Sequence, residues 1–294
     1  LALTRIKDRL PPLQELSRAQ PAFLPGEERN VPVEYPTPPQ GPPPMPAVRA
    51  ISAADIRAAL LAGLSDFVRA PVYGIGIGAV FGLVGAVIVL ALTVWDMPWM
   101  IYPFAIGFPL IGPFAAVGLF EVSRRLQQGL PLSWTAVLTA AWVQRGRQLS
   151  WMAFVMLFVF WVWMYQVRLL IALILGRLSF STLDKFVTVV FTTWEGWLFL
   201  AIGHLVGAAL ALVLFSITVV SIPLLMEREH DFVTAMITSV KTVVTSPAVM
   251  LGWGIFVTLA LMAASLPFFA GLLVVLPVLG HATWHIYKRA VAPA

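Results

Sequence analysis

His281 and His285 stand four residues apart in "VLPVLGHATWHIYKR", residues 275–289, so on a helix they share one face. Two imidazoles at that spacing hold a metal ion only if a third ligand joins them. Glu121 and His230 are the candidates for that place. A second use of histidine is axial ligation of a haem from facing helices. His204 and His281 are the deep candidates for it, but they are expected at different heights, His204 in the outer half of its span and His281 in the inner half of its own. The third reading is structural: histidines near a helix end hydrogen-bond to water, lipid headgroups or backbone carbonyls. No nucleophile motif, phosphate-binding loop or paired-carboxylate site accompanies them. "GIGIGAVFG" has the spacing of a dinucleotide fingerprint, yet it opens an apolar segment instead of following a strand, so its context fails. The expectation is therefore no catalytic residue, no metal and no haem, with structural lipids as the only bound small molecules.

The elements that must position these histidines are set by composition. The 294-residue chain is 60% hydrophobic and 11% charged, with a mean hydropathy of +0.89. Soluble domains carry about 25% charged residues, so the reading is an all-α, polytopic integral membrane protein. It has no cysteine, which excludes disulfides and thiolate metal sites. No basic cluster lies in a long soluble segment, and no nucleic acid is expected as a partner. Six apolar segments follow one another at about 72–94, 98–120, 149–170, 197–222, 248–265 and 267–287, most of them near the roughly 20 residues a spanning helix needs. No span interior contains Asp or Glu, which argues against an ion-coupled carrier.

The spans form three hairpins, each preceded by a segment of helical period. The first of these, 52–71, opens at Ser52 with Asp55 three residues later, a capping-box start, and stripes Ile56, Leu60, Leu64 and Phe67. The second, 133–148, is capped by Ser133 and stripes Trp134, Val137, Leu138 and Trp142. The third, 231–247, opens at Asp231 and sets Phe232, Met236, Val240 and Val243 opposite Thr234, Thr238, Lys241 and Thr245. All three are expected to lie in the membrane interface, each feeding a transmembrane hairpin, with a packed cytoplasmic cap as the alternative. "GFPLIGPFAAVGLFEVSRR" (107–125) aligns without gaps on "GLLVVLPVLGHATWHIYKR" (271–289), which pairs Pro113 with Pro277 as span kinks and Arg124-Arg125 with Lys288-Arg289 as a basic terminus. In that alignment Val117 stands opposite His281 and Glu121 opposite His285. Trp284, Tyr287, Lys288 and Arg289 are expected as inner-face anchors, together with Arg124 and Arg125. Gly74, Gly78 and Gly82 repeat every four residues in the first span and are expected to bring another helix close, within the chain sooner than between copies.

Six spans put both termini on one side of the membrane. Sixteen of the nineteen Lys and Arg fall on that side, which makes it the cytoplasmic one. Residues 11–46 hold twelve of the 23 prolines, so residues 1–50 read as a Pro-rich extended tail and 51–291 as the membrane domain. The chain opens at Leu1, and its numbering is expected to begin inside the encoded sequence.

"DFVRAPVYG", "GFPLIGPFAAVGLFEVSRRLQQG", "SIPLLMEREHDFVTAMITSV" and "LVVLPVLGHATWHIYKRAV" closely resemble an uncharacterised proteobacterial family of integral membrane proteins, domain of unknown function 2189. The resemblance runs from about residue 50 to 291. Its members often carry the label of cytochrome c oxidase subunits, which implies a respiratory-chain association and the bacterial inner membrane but identifies no catalytic residue. This chain lacks the many histidines of the oxidase catalytic subunit. The leading expectation is a non-catalytic accessory, or supernumerary, subunit that meets other subunits of a larger energy-transducing complex partly through its Pro-rich tail. The alternatives are a small permease or channel lined at the proline kinks, and a haem-binding redox protein.

Overall fold

The computed structural model describes residues 44–293, apart from 96–100, 144–145 and 177–182. The Pro-rich tail, Asp96, Trp99 and Arg177 lie outside the described residues, as do the side chains of 101–114 and 141–147, Tyr102, Pro113 and Trp142 among them. The described chain is helical, and its only β pairing is an isolated antiparallel bridge from Val48 to Val291.

Helix starts follow side-chain chemistry. α1 (Ala53–Arg69) opens with the capping box: Ser52 Oγ accepts from the Asp55 amide at 3.2 Å, and the Asp55 carboxylate accepts from the Ser52 amide at 2.9 Å. It ends at Ala70, where Pro71 begins α2 (Pro71–Thr93), since proline suits a first turn whose amides have no helical partner. α3 (Ile101–Gln128) runs through Pro113 and stops at Gly129, whose φ of +65° suits glycine. α4 (Trp134–Val143) is capped by Ser133, which accepts from the Ala136 amide at 3.2 Å. α5 (Gly146–Leu170) closes in a π-helical turn over Ile171–Leu175.

The connection expected between the third and fourth spans contains a ten-residue helix, α6 (Leu183–Thr192). α7 (Trp194–Thr218) is capped by Thr193. It breaks at Val219-Val220 before the short α8 (Ser221–Glu227), and Ser239 Oγ accepts the freed Val220 amide at 3.1 Å. α9 (Phe232–Thr245) starts at Asp231, which accepts from the Thr234 amide at 2.9 Å. α10 (Pro247–Ser265) begins at a proline. The last helix, α11 (Leu272–Ala290), starts five residues later than the apolar run suggests. Phe268 and Phe269 sit at φ +52° and +63°, left-handed backbone that ends one helix before the next can begin.

Among the described residues, four helical stretches are long and apolar enough to cross a membrane by length and composition: Pro71–Ala91, Gln148–Leu175, Trp194–Glu227 and Pro247–Ser265. α11 is a different object. It runs antiparallel to α1 and α2 in turn, and its last turns are buried inside the protein. The pairing can be followed residue by residue. Ala292 donates to the Ala47 carbonyl, Arg49 donates to the Ala290 carbonyl, Gly63 meets Ala282, and Gly78 meets Leu272 and Leu273. At Gly63 a β-carbon would lie 2.6 Å from the Ala282 nitrogen, and at Gly78 it would lie 2.8 Å from the Leu272 carbonyl oxygen. Only glycine allows backbones this close.

The short helices turn apolar residues outward and bury small or polar ones. α9 buries Ala235, Thr238, Ser239 and Thr242 and turns Val233, Ile237, Val240 and Val244 outward. α1 buries Ala59, Gly63, Asp66 and Phe67 and exposes Leu61, Leu64 and Val68. On α4, Val137 and Ala140 are buried while Trp134 and Leu138 are exposed. The cause is the solvent. When the outside is apolar, small and hydrogen-bonding side chains pack inward and branched apolar ones face out.

Candidate functional site

Polar side chains converge where α1, α3 and α11 meet. The local reason is helical spacing: Ser123 and Gln127 lie one turn apart on α3, as do His281 and His285 on α11, and the two helices present these pairs to each other. Ser123 Oγ lies 2.8 Å from His281 Nδ1, and Gln127 Nε2 lies 3.2 Å from His285 Nδ1. From α1, Asp66 Oδ2 accepts from His285 Nε2 at 2.8 Å, and the Ser123 hydroxyl also reaches this carboxylate. The indole of Trp284 donates to Gln127 Oε1 at 3.1 Å. His281 is 0% exposed, Asp66 5% and His285 8%.

Proton positions follow from what each group can do. An indole N–H only donates, so the oxygen of the Gln127 amide faces Trp284 and its NH2 faces His285. His285 Nδ1 is then an acceptor, and its hydrogen is on Nε2, aimed at Asp66. Burial pushes the Asp66 carboxyl up, but the hydrogen bonds from His285 and Ser123 outweigh it and hold the group below its ordinary value. Because the carboxylate only accepts, Ser123 gives its hydrogen to Asp66 and takes one from His281 Nδ1. His281 Nε2 is buried and meets no hydrogen-bond partner at normal geometry among the described residues.

A second cluster flanks the first. Glu121 is 2% exposed and takes Arg124 Nε at 2.7 Å and Arg125 Nε at 2.6 Å. Glu227 of α8 accepts from the Tyr287 hydroxyl and from Lys288 Nζ, the latter at 2.6 Å. Arg289 lies 3.9 Å from Asp55, and Arg228 donates to the Ala292 carbonyl.

Several expectations need correction against this geometry. Trp284 and Tyr287 are not anchors in an aromatic belt, because both are 0% exposed and pack beneath α3 and α8. Glu121 is not free to join the histidines as a third ligand, because two guanidiniums close over it. His281 and His285 do not converge on one point. They face Ser123 and Asp66 respectively, while Glu121 is held by arginines, and no three His, Asp or Glu among the described residues are grouped as a metal site would need. Asp66 was not singled out from sequence, though it is the residue that links the two histidines. A lone aspartate on the small-residue face of an amphipathic helix was the available signal.

His204 stands apart. It lies exposed on α7, donates from Nδ1 to the Leu200 carbonyl at 2.7 Å, and lines an apolar cavity of about 600 Å3 with Phe160, Trp163 and Phe199. Gly74, Gly78 and Gly82 line the α2 face against Phe67, Pro277, Leu273 and the Phe269 carbonyl, so another helix of the same chain fills the glycine groove. Pro277 is buried within α11.

A serine, a histidine and an aspartate in one chain of hydrogen bonds invite comparison with a hydrolase, but the order is wrong. The carboxylate touches the serine and the other histidine, and the serine is fully buried. What this arrangement can do is hold three helices together. The family that the motifs resemble is also the one whose model matches. Residues 101–227 match DUF2189, a predicted integral membrane protein. Comparison with curated proteins and with solved structures gives no match to either.

Proposed function

We propose, for a chain whose residues 101–227 are those of the DUF2189 family of predicted integral membrane proteins, that it is a non-catalytic accessory subunit packed against a larger energy-transducing membrane complex. The observation that carries this reading is the outer surface of α5. Only 6% of its apolar stretch is buried inside the protein, against 39% for α2. That free surface holds Trp151, Phe154, Phe158, Trp161, Trp163 and Tyr165. Aromatic side chains dominate the energetics of protein contacts, and a span of this kind is suited to a protein neighbour as well as to lipid. We place that complex in the respiratory chain, on the resemblance of the motifs alone.

The reading includes six spans, formed by α2, α3, α5, α7 with α8, α10 and the first half of α11, with α1, α4 and α9 lying in the interface. The outward apolar stripes of those three short helices support an interfacial position. The excess of basic residues on the side of the termini supports a cytoplasmic location for both, in a bacterial inner membrane. Structural lipids fill the remaining apolar surface, and the Pro-rich tail supplies a second grip on the partner.

The test is photo-crosslinking in native membranes from a photoreactive phenylalanine analogue at Trp161, with the same probe at Leu259 of α10 for comparison. Capture of one polypeptide from Trp161 supports the reading. Capture of lipid alone from both positions refutes it. Removal of residues 1–43 then weakens association while leaving the membrane domain folded; the cut falls there because Ala47 and Val48 already pair with Ala292 and Val291.

A further inference from the structure

We infer that the cavity between α5 and α7 binds a neutral, lipid-soluble hydroquinone, a hydroxylated aromatic ring on an apolar tail, whose hydroxyl is held between His204 and Trp163. The inference needs α5 and α7 to span the membrane and is independent of any partner subunit. The hollow comes from a mismatch of side-chain size. α7 turns Gly203, Gly207 and Ala211 toward the aromatic face of α5, which leaves about 600 Å3 open between the helices. A β-carbon on Gly203 would meet only a Leu170 methyl within 4 Å, and one on Gly207 only Trp163 Nε1, each at 3.9 Å. A space of this size suits a small organic molecule, and such sites combine apolar walls with a few polar groups.

Two polar groups line this cavity, and they are complementary. The Leu200 carbonyl can only accept, so His204 Nδ1 carries the hydrogen and Nε2 of the neutral ring is a lone pair at the ring's outer edge. The Trp163 indole can only donate, and it meets no acceptor among the described residues. Trp163 Nε1 stands over Gly207, three residues from His204, and positions so spaced are surface neighbours on a helix. One hydroxyl group can therefore accept from the indole and donate to the imidazole. Depth narrows the ligand further. His204 lies ten residues beyond Trp194, about 15 Å into a hydrocarbon core of roughly 30 Å, and Trp163 is near the middle of its own apolar stretch. Phospholipid headgroups stay at the surface of that core, so the hydroxyl belongs to a neutral molecule that dissolves in it. Phe160, Trp163 and Phe199 favour a ring beside that hydroxyl, because aromatic groups pack well against one another. A quinone fits less well than its hydroquinone: its carbonyls accept from Trp163 but offer nothing to His204.

The test uses the full chain in nanodiscs, labelled with 15N-tryptophan and titrated without oxygen with decylbenzoquinone or its hydroquinone. The chain has eleven tryptophans, and Trp163→Phe identifies the indole signal of interest. The hydroquinone is expected to move that signal to saturation at about one tenth of the concentration the quinone needs, the effect of one hydrogen bond left unmade at His204. His204→Leu keeps the cavity apolar and should remove the difference between the two forms. Gly207→Leu fills the cavity and should abolish saturation by both. Decane and decanol, a tail without a hydroxyl and a hydroxyl without a ring, should each bind more weakly than the hydroquinone. Equal saturation by quinone and hydroquinone in the unmodified protein overturns the inference without recourse to any variant. So does decane or decanol binding as tightly as the hydroquinone, or a signal that none of the four moves.

Discussion

The backbone contact of α2 with α11 gives the sharpest stability prediction. A β-carbon on Gly78 would sit 2.8 Å from the Leu272 carbonyl oxygen, 2.9 Å from Leu273 Cα and 3.1 Å from the Leu273 carbonyl oxygen. Carbon atoms rest at roughly 3.5–4.0 Å, so in Gly78→Ala α2 and α11 must part by about 0.5–1 Å there. The obstructing atoms are backbone, so no rotamer change relieves them. Overpacking of this kind costs about 1–3 kcal/mol, and the better helix propensity of alanine offsets about 1 kcal/mol. The expected net loss is up to about 2 kcal/mol. Gly252 on α10 supplies the control, because a β-carbon there meets nothing within 4 Å. Gly252→Ala keeps the propensity gain without the clash, so the gap between the two variants isolates the clash. Thermal unfolding in one detergent, followed by far-ultraviolet circular dichroism, reads that gap as several degrees, since 1 kcal/mol moves the midpoint of a chain this size by about 2–4 °C. If Gly78→Ala matches Gly252→Ala, α2 and α11 do not meet at Gly78 and the antiparallel pairing is wrong.

Other outcomes follow from the same geometry. The folded Asp66 carboxyl is held below its ordinary value, so its contribution to stability is present above about pH 4 and is lost as pH falls through the lower folded value. Unfolding midpoints should drop in that acid window, and Asp66→Asn should flatten the drop while costing about 1–3 kcal/mol at pH 7, because the amide loses the charge and offers one acceptor oxygen and an NH2 donor where the carboxylate offers two acceptors. Asp231→Ala should cost about 1 kcal/mol through loss of the α9 cap, read in the same melts. The chain has no cysteine, so single cysteines at Leu61, Leu138 and Ile237 can be spin-labelled without background. All three should respond to apolar oxygen more than to a water-soluble relaxant, whereas a label at Glu229 should show the reverse.

Local chemistry was legible in the sequence where one residue decides. Ser52, Ser133 and Asp231 start the helices they were expected to start, and Pro71 and Pro247 begin the following ones. The two histidines four apart do share a helix. What they touch was not legible, because Asp66 is 219 positions from His285 and Ser123 is 158 from His281. Those pairings depend on α11 folding back along α1, which no local pattern encodes. The stripe expected on α9 was only partly legible: Val240 faces outward, Phe232 and Met236 are partly buried and Val243 is buried. Thr238, Ser239 and Thr242 point inward since they hydrogen-bond within the helix or to α8, as when Ser239 accepts the Val220 amide. α6 was missed because ten residues between two longer apolar runs read as a connection.

The central claim concerns company, and mass is its most direct test. The chain alone weighs 32.1 kDa. Extracted from native membranes in a mild detergent and measured by native mass spectrometry, it should appear in a larger particle, in fixed ratio with at least one different polypeptide. A particle containing only this chain and lipid, from membranes where it is expressed at its natural level, would contradict the account.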